Sequence, residues 1–226
     1  AGFAKYWMHN GYLLAEGEKM SKSLGNFYTV HDLLEEFPGE AIRMALLKTH
    51  YRQPLDFTKS GIAEAKRELD RLYRALDQLK DVEPTPPENP SPIGIPNTVL
   101  GALMDDLNSP MAISVLHEYA KYIFNPEKAL SSPTGASVDV NLGEVKFAIQ
   151  EGAELLGILQ QDPNNWFKGD ASEGGLDDAA IDALINERIQ ARTDKNFQRA
   201  DEIRDELAAE GILLEDGAAG TTWKRS

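Results

Sequence analysis

Apolar and polar positions alternate along this chain with periods that define most of its predicted elements. Ile62, Ala65, Leu69, Leu72, Tyr73, Leu76 and Leu79 recur at three- and four-residue spacing and predict an amphipathic helix over residues 60–80. Ala112, Val115, Leu116, Tyr119 and Ile123 repeat the pattern, opened by Asn108 or Ser109 as a cap with Pro110 in the first turn. Val145 to Leu159 carries a further helical stripe. Near the amino end, Tyr12–Ala15 predicts a short strand and Phe27–Val30 a brief extended piece. Thr29, with Asp32 three residues on, predicts the cap of a helix reaching about Phe37, where Pro38–Gly39 ends it. Glu40–His50 predicts a second helix, with Ile42, Ala45 and Leu46 on one face.

The period changes again near the carboxy end. Ile181, Leu184, Ile185 and Ile189 mark one helix, and Phe197, Ala200, Ile203 and Leu207 another, stopped by Gly211. Ile212–Leu214 and Thr221–Trp223 read as strands about the turn signal Asp216–Gly217. Connections lie between. Val82–Pro96 holds six prolines, Asn125–Asp139 is rich in Pro, Ser and Gly, and Asp162–Gly175 is polar and glycine-rich. The chain is therefore mainly α, with about four helices expected as an antiparallel bundle in its middle and a small α+β module at its end.

Composition narrows the function. The 226 residues suffice for one large domain or two to three small ones, and no apolar run is long enough to span a bilayer. The absence of Cys excludes disulfides and thiolate metal sites within this sequence, and fits a reducing compartment. A net charge of −14 argues against nucleic acid as a partner, but its distribution weakens that argument. Residues 1–80 carry 12 Lys and Arg against 11 Asp and Glu, residues 81–180 carry 4 against 16, and residues 181–226 carry 7 against 10. Both ends can meet phosphate while the middle faces water. The opening, Phe3-Ala4-Lys5-Tyr6-Trp7-Met8-His9, crowds aromatics in a way expected of a piece cut from a larger domain.

The most specific chemistry is Lys19-Met20-Ser21-Lys22-Ser23, followed by Leu24-Gly25-Asn26. Two ammonium groups three residues apart, interleaved with hydroxyls, can close over a polyphosphate. An arbitrary Lys-x-x-Lys is more often a solvated basic loop. This run, however, matches the second signature of class I aminoacyl-tRNA synthetases residue for residue.

With Tyr6–Gly11, Asp105–Pro110, Glu215–Gly217 and Gly220–Trp223 added, the whole chain resembles the carboxy-terminal half of the cysteinyl-tRNA synthetases. The resemblance implies four parts. Residues 1–58 would end a Rossmann-type catalytic domain with the KMSKS loop and a stem-contact region. Residues 59–162 would be a DALR-type helical bundle, 163–175 a linker, and 176–226 an anticodon-binding module. It implies that Lys19 and Lys22 act catalytically, that Lys19, Met20, Ser21, Lys22 and Ser23 bind ATP with its Mg2+, and that Gly25 gives the backbone freedom to close. It implies that Arg192, Phe197, Asp201 and Asp216 read the anticodon of tRNA-Cys, with Lys195, Arg199, Arg204, Lys224 and Arg225 on phosphates. Many relatives hold Trp where this chain has Phe197.

The family's His-x-Gly-His signature and zinc ligands have no counterpart here, since the His residues are His9, His31, His50 and His117. The expectation is a cytoplasmic monomer that binds tRNA but does not activate cysteine unaided. A cysteine:amino-sugar ligase of mycothiol synthesis shares the lysine loop without needing an anticodon module. A non-catalytic tRNA-binding module shares the tail without needing the loop.

Overall fold

The computed structural model describes residues 3–21, 23, 28–87, 98–125, 141–168, 176–217 and 220–225. The chain divides into two compact units, Ala1–Gln160 and Gln161–Ser226.

In the first unit a three-stranded sheet has the order β2-β1-β3. Strands β1 (Leu13–Ala15) and β2 (Glu18–Lys19) are antiparallel, and β3 (Leu55–Phe57) runs parallel to β1. Glu16 and Gly17, with φ of 54° and 79°, form a two-residue hairpin turn of left-handed residues, the geometry that matches strand twist. The Gly17 amide donates to Asp56 Oδ1 at 2.8 Å and ties this hairpin to β3. A β-carbon at Gly11 would lie 2.2 Å from the Gln53 carbonyl oxygen, so only glycine fits there.

Helix α1 (Val30–Leu34) begins with the expected cap. Thr29 Oγ1 accepts from the Asp32 amide at 3.1 Å, and Asp32 Oδ2 accepts from the Thr29 amide at 3.0 Å. It stops short of Phe37. Helix α2 (Gly39–Leu47) packs on α3 (Lys59–Gln78), which Thr58 caps. The stripe of α3 is buried as its spacing predicts. In α2, Ile42 and Ala45 are buried but Leu46 faces solvent. Helix α5 (Ser109–Phe124) packs on α3, on α4 (Val99–Met104) and on α6 (Leu142–Leu156). A β-carbon at Gly152 of α6 would sit 2.6 Å from Val99 Cγ2, so α4 and α6 approach too closely for a side chain.

Polar fastenings join these helices. Glu40 accepts from the buried Tyr73 hydroxyl at 2.9 and 3.0 Å and from the amides of Leu159 and Gln160 at 2.8 and 3.1 Å. Lys146 of α6 donates to the carbonyls of Leu79 at 2.9 Å and Val82 at 2.7 Å, just past the end of α3. There an ammonium also meets the negative end of the helix dipole.

The second unit holds α7 (Pro163–Lys168), α8 (Asp178–Thr193), α9 (Phe197–Ala209) and the hairpin β4 (Ile212–Gly217)–β5 (Gly220–Arg225). Ile181, Ile185, Ile203, Leu207, Ile212 and Trp223 form its core. The Trp223 indole donates to Asp182 Oδ1 at 2.9 Å. The Lys168 ammonium lies 5.0 Å from the Trp223 ring, and α7 packs on β5. Part of the stretch whose composition suggests a linker is thus helical, with Trp166 buried. The expected loop over 125–139 and most of the proline-rich run lie outside the described residues.

Candidate functional site

In the first unit, Lys19 ends β2 opposite Leu14, and its side chain is exposed. Met20 and Ser21 are half-buried. The hydroxyls of Ser21 and Ser23 are 2.8 Å apart, so one donates to the other. Lys22 and Leu24–Asn26 lie outside the described residues.

The hairpin turn places β2, and Lys19 with it, at the sheet edge away from β3. Trp7 stacks on His9 with ring centres 6.5 Å apart, and both are exposed. A concavity of about 240 Å³ follows, between Asn10–Leu13 on one side and His50 and Tyr51 on the other.

Beside it is a charged joint. Asp106 Oδ1 accepts from the Tyr51 hydroxyl at 2.6 Å, and its two oxygens accept from Arg52 at 2.7 and 3.1 Å. Those hydrogen bonds, from Arg52 first and then Tyr51, hold the Asp106 carboxyl down at about 2. Asp106 and Leu107 both adopt left-handed backbone, with φ of 52° and 54°. Two non-glycine residues in succession there are uncommon, and backbone bonds such as Leu107 N–H to the Leu103 carbonyl at 3.1 Å and Asn108 N–H to the Ala102 carbonyl at 3.2 Å fix the segment alongside the Arg52 pair. Asn108, not Ser109, caps α5 by accepting from the Met111 amide at 3.1 Å.

The second unit brings all four sequence-selected residues into one concavity of about 330 Å³. Arg192, Phe197, Asp201 and Asp216 line it, together with Arg188 and Arg204. Phe197 is 62% exposed, which corrects the expectation that it belongs to the buried stripe of its helix. It is the first residue of α9, ahead of the turns that pack on α8, so its ring is left at the rim. Asp201 is also exposed and pairs with Arg204 at 3.3 Å.

Asp216 is fully engaged. Oδ1 accepts from Arg188 Nη1 at 3.0 Å and from the Thr221 hydroxyl at 2.7 Å. Oδ2 accepts from Arg188 Nη2 at 2.9 Å and from Arg192 Nη1 at 3.3 Å. Arg188, and next Thr221, hold this carboxyl far below the usual carboxylate range, and Asp216 in turn raises the Arg188 guanidinium. The site thus presents an aromatic face, guanidinium donors and carboxylate acceptors, the groups that stack on a heteroaromatic base and bond its edge.

Arg188 is the residue that sequence reasoning missed. It is only 8% exposed. The available signal was its position on the stripe of Ile181 and Ile185, where a charge is out of place. The apolar spacing instead continues the stripe to Ile189, which is 45% exposed.

Three of the five candidate phosphate contacts already hold partners, Arg204 bonding Asp205 at 3.1 Å besides its pair with Asp201. Arg199 bonds Glu187 at 2.8 Å and Glu206 at 3.0 Å. Arg225 bonds the Leu176 carbonyl at 3.2 Å and Asp178 at 3.0 Å. Lys195 is exposed in a left-handed turn with φ of 62°, and the Lys224 side chain lies outside the described residues. Among the described residues no cluster of three or more His, Asp or Glu is placed to hold a metal ion, and no helix is long and apolar enough to cross a membrane.

Three family descriptions match the sequence: tRNA synthetases class I (C) catalytic domain over residues 1–67, DALR domain over 99–160, and Cysteinyl-tRNA ligase anticodon binding domain over 175–223. Relatives named cysteine–tRNA ligase match nearly end to end. That of Paramagnetospirillum magneticum is 52% identical over 223 residues, covering 99% of this chain and 46% of the relative. That of Rhodospirillum centenum is 52% identical over 227 residues, covering 100% and 46%. That of Acidiphilium cryptum is 49% identical over 224 residues, covering 99% and 44%. The chain therefore spans a little under half the length of the curated relatives it matches.

Proposed function

The chain belongs to the cysteinyl-tRNA synthetase family, and from that premise we propose that it supplies the lysine loop and the tRNA-reading end of a cysteine–tRNA ligase. In this reading the complete enzyme activates cysteine with MgATP and transfers it to tRNA-Cys. The ionised cysteine carboxylate attacks the α-phosphorus, pyrophosphate departs, and no general base is needed. Lys19 and Lys22 stabilise the negative charge that accumulates on the leaving phosphates. Ser21 and Ser23 shape the loop and donate to phosphate oxygens. A donor that tightens on developing charge is worth roughly 10²–10³ in rate. The zinc that holds the substrate thiolate in this family falls to residues outside this sequence, which has no Cys.

The finer architecture belongs to the same proposal. The strands and short helices of the first 58 residues complete a Rossmann-type domain and contact the tRNA stem. Helices α3 to α6 form an antiparallel DALR-type bundle. The terminal unit reads the anticodon through Arg192, Phe197, Asp201 and Asp216, with Lys195 and Arg204 as phosphate contacts. The protein acts as a cytoplasmic monomer.

One observation carries the anticodon reading. Four residues selected by sequence, spread over 25 positions, line a single concavity with an exposed aromatic at its rim. The test is binding of the 226-residue chain to tRNA-Cys transcripts with the native and a single-base-altered anticodon. A base contact of this kind is worth about 1–3 kcal/mol, so the altered transcript is expected to bind roughly 10–100-fold more weakly. Equal affinities would overturn the reading. The chain alone is expected to give no cysteine-dependent pyrophosphate exchange, and exchange above background would contradict the division of labour.

A further inference from the structure

The carboxylate assigned to base reading has almost no acceptor capacity left. A carboxylate offers about four lone-pair positions. Arg188 fills two of those on Asp216 at 2.9 and 3.0 Å, and Thr221 fills a third at 2.7 Å. Arg192 reaches the fourth at 3.3 Å. The four contacts are not equivalent. Arg188 is buried, and its two Nη groups bond one carboxylate oxygen each, a bidentate pairing that leaves little freedom to rotate. Thr221 is fixed on β5 by the hairpin, where it faces Asp216 across the ladder. Arg192 is 53% exposed, makes the longest of the four bonds, and lies one helical turn beyond Arg188. Arg192 is therefore the partner that leaves at least cost.

We propose that Arg188 is a positioning residue for anticodon reading, fixing the Asp216 carboxylate so that an incoming base edge exchanges with Arg192 at the one acceptor position left displaceable. The inference rests on the anticodon reading above. The ligand chemistry is an unstacked base that offers an N–H donor beside an acceptor. The donor takes the Oδ2 position, and the displaced guanidinium turns to the neighbouring acceptor. One ion-pair contact is replaced by two base contacts, and the Asp216 charge stays covered throughout. A base without that pairing of donor and acceptor would displace Arg192 without compensation, which penalises the wrong nucleotide beyond the loss of one hydrogen bond. The arrangement also keeps Asp216 ionised across the whole physiological range.

This changes how a mutation of Asp216 is read. Asp216→Ala would strand a buried guanidinium, so lost discrimination and lost stability would be mixed. The cleaner test leaves Asp216 in place and removes what holds it. Arg188→Met keeps the packed stem and deletes the fork, Arg188→Lys restores a charge without the fork, and Thr221→Val deletes the third contact.

Each variant of the 226-residue chain is titrated with the native and altered tRNA-Cys transcripts, and its melting is followed by circular dichroism. Arg188→Met is expected to reduce the ratio of the two dissociation constants by about tenfold, with affinity for the altered transcript changed by less than about twofold. Arg188→Lys should fail to restore the ratio, and Thr221→Val should reduce it by a smaller factor. A folded Arg188→Met chain that keeps the wild-type ratio overturns the inference while leaving the anticodon reading intact. Should Arg188→Met not fold, an unchanged ratio in Thr221→Val overturns it equally. A wild-type chain that binds both transcripts alike removes the anticodon reading itself, and this inference with it.

Discussion

The amino-terminal and carboxy-terminal sites of this chain are built in opposite ways. The lysine run is short and contiguous, and the chemistry proposed for it rests on the order of its residues in the sequence. Around it the structure contributes a two-residue strand, a left-handed turn and one hydroxyl pair. The carboxy-terminal concavity is the reverse. Its residues are scattered and singly unremarkable, and their meaning comes from α8, α9 and β4 converging on one concavity. A group that acts on charge appearing during a reaction is defined by its type and its reach. A group that discriminates between bases must be held in place beforehand, so its supports matter as much as the group itself.

Four experiments press on that contrast. The largest effect is expected at the lysine run. In the complete ligase, Lys22→Ala should lower kcat by roughly 10²–10³ with little change in tRNA affinity, measured by single-turnover adenylate formation and filter binding. An effect confined to Kd would make the run a binding element and erase the contrast.

Next is a purely structural fastening. Glu40→Ala deprives the buried Tyr73 hydroxyl and two amides of their acceptor. It should cost about 1–3 kcal/mol by urea denaturation, with anticodon discrimination unchanged.

Phe197→Ala should weaken binding of native tRNA-Cys by about 1–3 kcal/mol in the same titration, while Phe197→Trp preserves or strengthens it. Loss of stability without loss of binding would return Phe197 to an ordinary packing role.

The smallest effect concerns Asp106. Its carboxyl falls from 3.8 to about 2 on folding, so its contribution to stability is fully present above pH 3.8 and fades as the pH drops from there toward 2. Asp106→Asn keeps a residue that tolerates left-handed backbone. Its melting temperature should lie slightly below wild type at pH 7, and the difference should shrink through that acid window. A difference independent of pH would assign the joint to backbone strain instead of charge.

Local signals survived folding where one element carried its own instructions. The α3 stripe, the Thr29–Asp32 box and the Asn108 cap each depend on residues within a few positions of one another. Elements that depend on distant partners were not visible. Strand β3 is three residues long, and it exists because β1, some forty positions earlier, offers a parallel edge. Helix α4 has six residues and packs chiefly on α5, with α6 drawn close where Gly152 leaves room for Val99. Helix α7 is hidden in a polar, glycine-rich composition and is marked only by the aromatic pair Trp166 and Phe167, of which Trp166 is buried.

At the candidate site, residue types suggested Asp201 and Asp216 equally. Only the fold distinguishes them, one facing solvent beside Arg204 and the other locked by Arg188. Arg188 is only weakly marked in the sequence because Ile189 beside it continues the apolar pattern and its carboxylate partner, Asp216, lies 28 positions away.

Lys146 closes the end of α3 on backbone carbonyls, and carbonyls neither titrate nor exchange counterions. Acid that unfastens the carboxylate pairs elsewhere in the first unit leaves this clasp untouched. Under souring conditions, the seam between the third and sixth helices should be among the last parts of that unit to part, and its slowly exchanging amides would record the order.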